Sequence, residues 1–117
     1  MDGRATLRLG EEARIAGIRV RAARLVEDSR CPANVQCVHA GTVRLTVVLS
    51  DGGDAREVVL RADEPQRLGA ERWIELSAVC PVPRAPGPIA SGDYRFIVSV
   101  AEGGPPPPLD FACPRGS

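Results

Sequence analysis

Val43, Leu45, Val47 and Leu49 recur at every second position, with Arg44, Thr46 and Ser50 on the opposite face. A period of two puts alternate side chains on opposite faces of an extended chain, so this stretch reads as a strand with one face in a core and the other in water. Asp51-Gly52-Gly53-Asp54 follows at once, a turn-forming run. Residues 56–61 then resume β-rich composition with Val58, Val59 and Leu60. Residues 43–61 are therefore predicted to form a β-hairpin.

The same signature recurs on both sides of the hairpin. Residues 5–9 and 12–16 have the composition of short strands. Residues 18–26 alternate from Ile18 through Val20 to Ala22 before the pattern slips near Ala23, which predicts a bulge there. Residues 72–79, with Trp73 and Ile74, and residues 93–100, with Tyr94, Phe96 and Val98, complete the set. No segment carries an apolar stripe of helical period. About seven short strands, spaced roughly ten residues apart and joined by Gly- and Pro-rich turns, predict an all-β fold. An antiparallel β-sandwich fits best, with an Ig-like arrangement or a small barrel as the alternative. A chain of 117 residues has room for one such domain, spanning 1–117.

Two proline-rich stretches lie outside the strands. Residues 81–91 contain Pro81, Pro83, Pro86 and Pro88 and cannot join a central strand, so they are expected to form a stiff, exposed loop. Gly103-Gly104-Pro105-Pro106-Pro107-Pro108 has the composition of a polyproline linker. Beyond it come Leu109, Phe111 and Cys113, two apolar residues and a thiol, so the 103–117 tail is expected to fold back and be pinned to the body through Cys113.

The four cysteines, Cys31, Cys37, Cys80 and Cys113, allow three pairings. Proximity favours Cys31 with Cys37 and Cys80 with Cys113. A zinc or copper site built from Cys31, Cys37 and His39 is the competing use, since Cys37 and His39 would share a face on one strand. The five-residue gap between the cysteines does not match the Cys-x₂₋₄-Cys pairs of common zinc modules.

Fifteen basic and fifteen acidic residues, interspersed rather than blocked, leave no net charge and no basic stripe in the sequence. Binding to a phosphate backbone relies on such a stripe, so nucleic acid is not an expected partner. No run approaches the ~20 apolar residues of a membrane helix, so membrane insertion is not expected. Met1-Asp2-Gly3-Arg4 lacks the apolar stretch of a signal peptide; if the domain is exported, its targeting segment is absent from this chain. Gly-x-Ser-x-Gly elbows, phosphate-cradling glycine loops and zinc-protease His pairs are all missing, so neither catalysis nor a cofactor is expected. The adjacent carboxylates Glu11 and Glu12, and Asp63 and Glu64, would point to opposite faces of a strand and read as solvated.

The stretch Glu27-Asp28-Ser29-Arg30-Cys31-Pro32-Ala33-Asn34-Val35-Gln36-Cys37-Val38-His39-Ala40-Gly41 resembles a segment of small exported bacterial proteins and lipoproteins of largely uncharacterised function. In that family an Asp-Ser-Arg-Cys-Pro run precedes a second Cys and an aromatic-Ala-Gly turn. The stretch from Ile74-Glu75-Leu76 through Pro83 to Asp93-Tyr94-Arg95 is similar to the family's second half. Here His39 stands where the family usually shows Trp, and Cys80 and Cys113 lie outside the shared pattern. The resemblance implies an exported β domain, periplasmic, cell-surface or secreted, with Cys31 bridged to Cys37. It implies no activity.

Two groups of residues are candidates for binding another envelope or extracellular protein. Asp28, Ser29 and Arg30 could form a recognition loop, or Asp28 and Ser29 could bond the local backbone at a strand end while Arg30 simply pairs with Asp28. Pro83, Arg84 and Pro86 lie in the stiff loop anchored at Cys80, which could present Arg84 to a partner, in one version as the bait of a protease inhibitor, or could merely connect two strands.

Overall fold

The computed structural model describes residues 2–39, 41–109 and 113. Eight strands run in chain order as β1 (Gly3–Leu7), β2 (Glu12–Ile15), β3 (Ile18–Asp28), β4 (Val43–Ser50), β5 (Arg56–Arg61), β6 (Gln66–Arg67), β7 (Arg72–Cys80) and β8 (Arg95–Glu102). They form two antiparallel four-stranded sheets, ordered β1-β8-β7-β6 and β2-β3-β4-β5. The result is the expected disulfide-stapled sandwich of two separate sheets rather than a closed barrel. The chain changes sheet between β1 and β2 and returns between β5 and β6.

The 43–61 hairpin forms as read, with Leu49 opposite Arg56 and Leu45 opposite Leu60. Ahead of it, β2 and β3 make a second hairpin across Ala16-Gly17, where Ile15 pairs with Ile18. Both turn residues have positive φ, 50° and 85°, as a two-residue turn matched to strand twist requires. Inward side chains from the two sheets, Val20, Val43, Leu45, Val47 and Leu60 against Ile74, Leu76, Phe96, Val98 and Val100, are fully buried and make the core.

Several strand boundaries differ from the sequence expectation. β1 covers residues 3–7 rather than 5–9, because the chain leaves β8 after Leu7 meets Phe96 and Gly10 turns it toward the other sheet. Asp93 sits in a 3₁₀ turn, donating its N–H to Ala90 O at 2.9 Å, so β8 begins two residues later. β6 is two residues long, too short to leave a period in the sequence.

β8 is buried on both faces. Its inward residues meet the core, and its outward residues Ile97, Ser99 and Ala101 are also buried. The proline tail lies beside part of this outer face. Pro106 and Pro107 line a crevice with Arg4, Ser99 and Ala101; Pro105, Pro106, Pro108 and Leu109 line another with Glu75 and Ser77. The tail therefore turns back over the outer face of the first sheet, and the Cys80–Cys113 disulfide ties it down. Burial, and then Asp63, push the Glu75 carboxyl above its ordinary range. Phe111 lies outside the described residues.

Candidate functional site

The last turn of β3 and the residues after it close one end of the sandwich. Two bulges set the phase. Register slips once between Ala22 and Arg24, near Ala23 as expected, and again between Leu25 and Glu27. A single slip exchanges the two faces of a strand and a second restores them. The pair of bulges therefore leaves Glu27 outward beside Arg44 and turns Asp28 inward beside Val43. One bulge alone would have put Asp28 in solvent.

Inward-facing Asp28 is a carboxylate in a half-dry position, and it is fully partnered. Arg30 grips it bidentately, Nε to Oδ1 at 2.8 Å and NH2 to Oδ2 at 2.9 Å. The Tyr94 hydroxyl donates to Oδ2 at 2.6 Å. The remaining Arg30 nitrogen, NH1, donates to Val79 O on β7 at 2.8 Å. Asp28 and Arg30 belong to the chain leaving the second sheet, while Val79 and Tyr94 belong to the first. These four residues are a polar clasp between the sheets. Burial raises the Asp28 pKa, but the hydrogen bonds from Arg30 and Tyr94 outweigh it and hold the carboxyl below its usual value. The Tyr94 phenol is pushed up to about 12, by burial first and then by its bond to the Asp28 carboxylate. Its ring stacks on Phe96 with centroids 5.4 Å apart.

Ser29 and Gly41 join the two strands that flank the loop. Ser29 N donates to Thr42 O at 2.9 Å, and its hydroxyl donates to Glu27 Oε2 at 2.7 Å while accepting from Thr42 N at 3.1 Å. The Glu27 carboxyl is held below its usual value by Ser29 first and Arg44 second. Gly41 packs so closely on this unit that a Cβ there would lie 1.6 Å from Ser29 O. The Asp-Ser-Arg run and Gly41 of the motif thus have structural work in one knot.

Beyond the clasp, the disulfide-closed loop carrying Cys31 and Cys37 meets the proline loop. Ala33 N donates to Pro83 O at 2.8 Å. Asn34 holds Ala85 in both directions: Nδ2 donates to Ala85 O at 2.8 Å, and Oδ1 accepts from Ala85 N at 2.8 Å. A side-chain amide offers one donor and one acceptor in the geometry of a peptide group, so Asn34 pairs with Ala85 as a neighbouring strand would. The Cys80-Pro81 and Ala85-Pro86 bonds are cis. Arg84 and Pro86 are exposed and Pro83 is half-buried. Val35, Val38 and Val82 also face solvent, Val38 to 93%.

The structure thus gathers the candidate binding residues at one end, in two roles. Pro83, Arg84 and Pro86 belong to the exposed proline loop. Asp28 and Arg30 lie behind it and are committed to each other, to Tyr94 and to Val79. Asn34, Ala33 and Tyr94 complete the arrangement, and none was singled out from sequence as part of a site.

The disulfides are Cys31–Cys37 and Cys80–Cys113. With both sulfurs of the first pair bonded to each other, the zinc or copper set Cys31, Cys37 and His39 has no thiolate to offer and is not assembled. His39 is exposed, and among the described residues no three His, Cys, Asp or Glu side chains are grouped to hold a metal ion. Folding brings together arginines that are interspersed along the sequence. Arg14, Arg19, Arg21, Arg24, Arg44 and Arg61 share the outer face of the second sheet with only Glu12, Glu27 and Glu57. Arg24 and Arg44 make tight ion pairs with Glu57 and Glu27, at 2.8 and 2.7 Å, while Arg19 and Arg61 sit near 4 Å from Glu12 and Glu64. Exposed pairs of this kind read as a solvated lattice.

No protein-family model, no curated protein and no solved structure matches the chain. Among the described residues no helix is long and apolar enough to cross a membrane.

Proposed function

We propose that this chain is a non-catalytic, exported interaction module that recognises another envelope or extracellular protein with the end of the sandwich where the two loops meet. The two-way lock between Asn34 and Ala85 carries this reading. A loop fixed in advance loses little conformational entropy on binding, so its exposed side chains can act as a ready-made recognition surface. Val35, Val38, Val82 and Arg84 supply apolar contact and one cation, a composition suited to a protein partner.

Three further observations support the reading. Two disulfides in a domain of this size fit an oxidising compartment. The resemblance of residues 27–41 to exported bacterial proteins points the same way. The Asp28 carboxylate and the Tyr94 hydroxyl are hydrogen-bonded within the clasp, which leaves neither as a free acid or base.

Site-specific photo-crosslinking tests the proposal. A photoreactive residue replacing Val38 is expected to form a discrete adduct with an envelope protein on irradiation of intact cells, whereas one replacing Asp54, in the turn at the opposite end, is expected to form none. Equal labelling from both positions, or none from Val38, would overturn it.

A further inference from the structure

We infer that Arg84 is a substrate-like bait for trypsin-type serine endoproteases, carried on a loop built so that cleavage does not run to completion. This rests on the reading of the loop end as a protein-binding surface and names the class of partner.

Exposure alternates along the loop. Val82, Arg84 and Pro86 are exposed, while Pro81, Pro83 and Ala85 between them are half-buried. Residues 82–84 form a short stretch without a bend, on which Val82 and Arg84 point outward, and the chain then bends over residues 85–87. Endoproteases engage extended backbone, and a carboxylate at the base of the primary pocket selects Arg. The chain has many exposed arginines, so the side chain alone singles out nothing. What distinguishes Arg84 is the support of the peptide groups on either side of it. The carbonyl before it, Pro83 O, is held by Ala33 N, and the residue after it, Ala85, is held through both N–H and C=O by Asn34. Cys31–Cys37 closes the loop that carries these two supports, and Cys80–Cys113 anchors the start of the loop that carries the bait.

These supports bear on the chemistry. The protease serine oxygen adds to the Arg84 carbonyl carbon. As the Arg84–Ala85 C–N bond breaks, the serine proton passes by way of the protease base to the Ala85 nitrogen, leaving an Arg84 ester and an Ala85 amine. In a flexible substrate that amine departs and water completes hydrolysis. Here the amine stays hydrogen-bonded to Asn34 Oδ1, and β7 and β8, paired from Arg72–Glu102 to Cys80–Arg95, keep both cut ends together. An amine held at the ester attacks it at a high effective concentration, so the peptide bond re-forms with the same atoms and the proton returned. The outcome is a standing complex with the protease rather than a product.

The test uses the full chain with both disulfides intact, titrated against trypsin, with hydrolysis of a small chromogenic arginine substrate and the intact mass of the chain read in parallel. The expected result is inhibition by the native chain, retained by Arg84→Lys and weakened at least about 100-fold by Arg84→Ala, since a specificity pocket left without its cation loses that order of affinity. Asn34→Ala should leave the cooperative unfolding transition in place yet turn the inhibitor into a substrate, with a gain of one water mapped to Arg84-Ala85. Rapid cleavage of the native chain after Arg84 without inhibition would overturn the inference, as would inhibition untouched by Arg84→Ala, or neither inhibition nor cleavage at large molar excess. If these fail while the Val38 crosslink persists, the loop end binds a protein of another class; if the crosslink is also absent, the broader reading falls with it.

Discussion

The two ends of this sandwich share a core and are finished differently. At one end, the 51–55 turn between β4 and β5 is fully exposed, and its tie to the body is a surface ion pair, Arg72 NH1 to Asp51 Oδ2 at 3.0 Å. At the other, two loops too long for a tight turn are held by two disulfides, the Asp28–Arg30–Tyr94 clasp and the Asn34–Ala85 lock. A short turn keeps its shape through the strands it joins. A long loop must be ordered against its own conformational entropy, about 1–2 kcal/mol per residue for the backbone. The clasped end makes up that difference with cross-links and half-buried polar bonds, and such investment in fixed shape is what a recognition surface requires.

The largest contrast should come from the cross-links. Replacing Cys80 and Cys113 by Ser opens a closure of 33 residues and is expected to destabilise the fold by about 4 kcal/mol, against about 2 kcal/mol for Cys31 and Cys37, separated by 6. Urea unfolding of the two double variants measures both, and a reversed order would break the view that the tail strap matters more to stability than the loop closure.

Glycine substitutions sharpen the comparison next. Gly41→Ala drives a methyl into Ser29 backbone and should lose about 1–3 kcal/mol, whereas Gly53→Ala in the opposite turn meets nothing within 4 Å and should change stability by under about 0.5 kcal/mol. Thermal melts of the pair are sufficient. Equal effects would mean that the knot between Ser29 and Gly41 yields easily.

Charge removal follows. Arg30→Ala strips a carboxylate with 11% exposure of its ion partner and should cost about 2 kcal/mol. Arg72→Ala removes the Asp51 tie, where the pair is a third to two-thirds exposed, and should cost under about 1 kcal/mol.

The clasp also sets the pH response. Asp28 has its folded pKa lowered, so its contribution is present above the unfolded carboxyl value and is lost as pH falls through the folded one, below about pH 4. Tyr94 has its folded pKa raised from 10.0 to about 12, so its contribution is complete below pH 10 and is lost between pH 10 and 12. In Tyr94→Phe, stability measured across that alkaline window should fall less steeply than in the native chain; parallel slopes would remove Tyr94 from the account of the clasp.

Much of this fold was legible because burial follows a period of two. The 43–61 hairpin and the bulge near Ala23 come straight from side-chain alternation, and the folded-back tail from a thiol placed after an otherwise linker-like run. The second bulge was not legible, because Leu25, Val26, Glu27 and Asp28 fit either phase until their partners on β4 are known. The candidate site was legible only in parts. Arg84 and its prolines announce a stiff loop, and Asp28 with Arg30 announces a local pair. Asn34 looks like an ordinary turn residue, since its partner Ala85 lies 51 positions away and is bound through main chain, which leaves no trace in residue type. The arginine face was hidden for a related reason: a sum along the sequence is blind to the sheet that sorts alternate residues to one side.

The preorganised loop end is tested most directly by amide hydrogen exchange at Ala85. Its N–H sits in an exposed loop but donates to Asn34 Oδ1, so in the native chain it should exchange at least about tenfold more slowly than a free amide, and Asn34→Ala should abolish that protection while the core strands stay protected. Exchange at the free-amide rate in the native chain, or protection unchanged by Asn34→Ala, would contradict the lock on which the recognition surface depends.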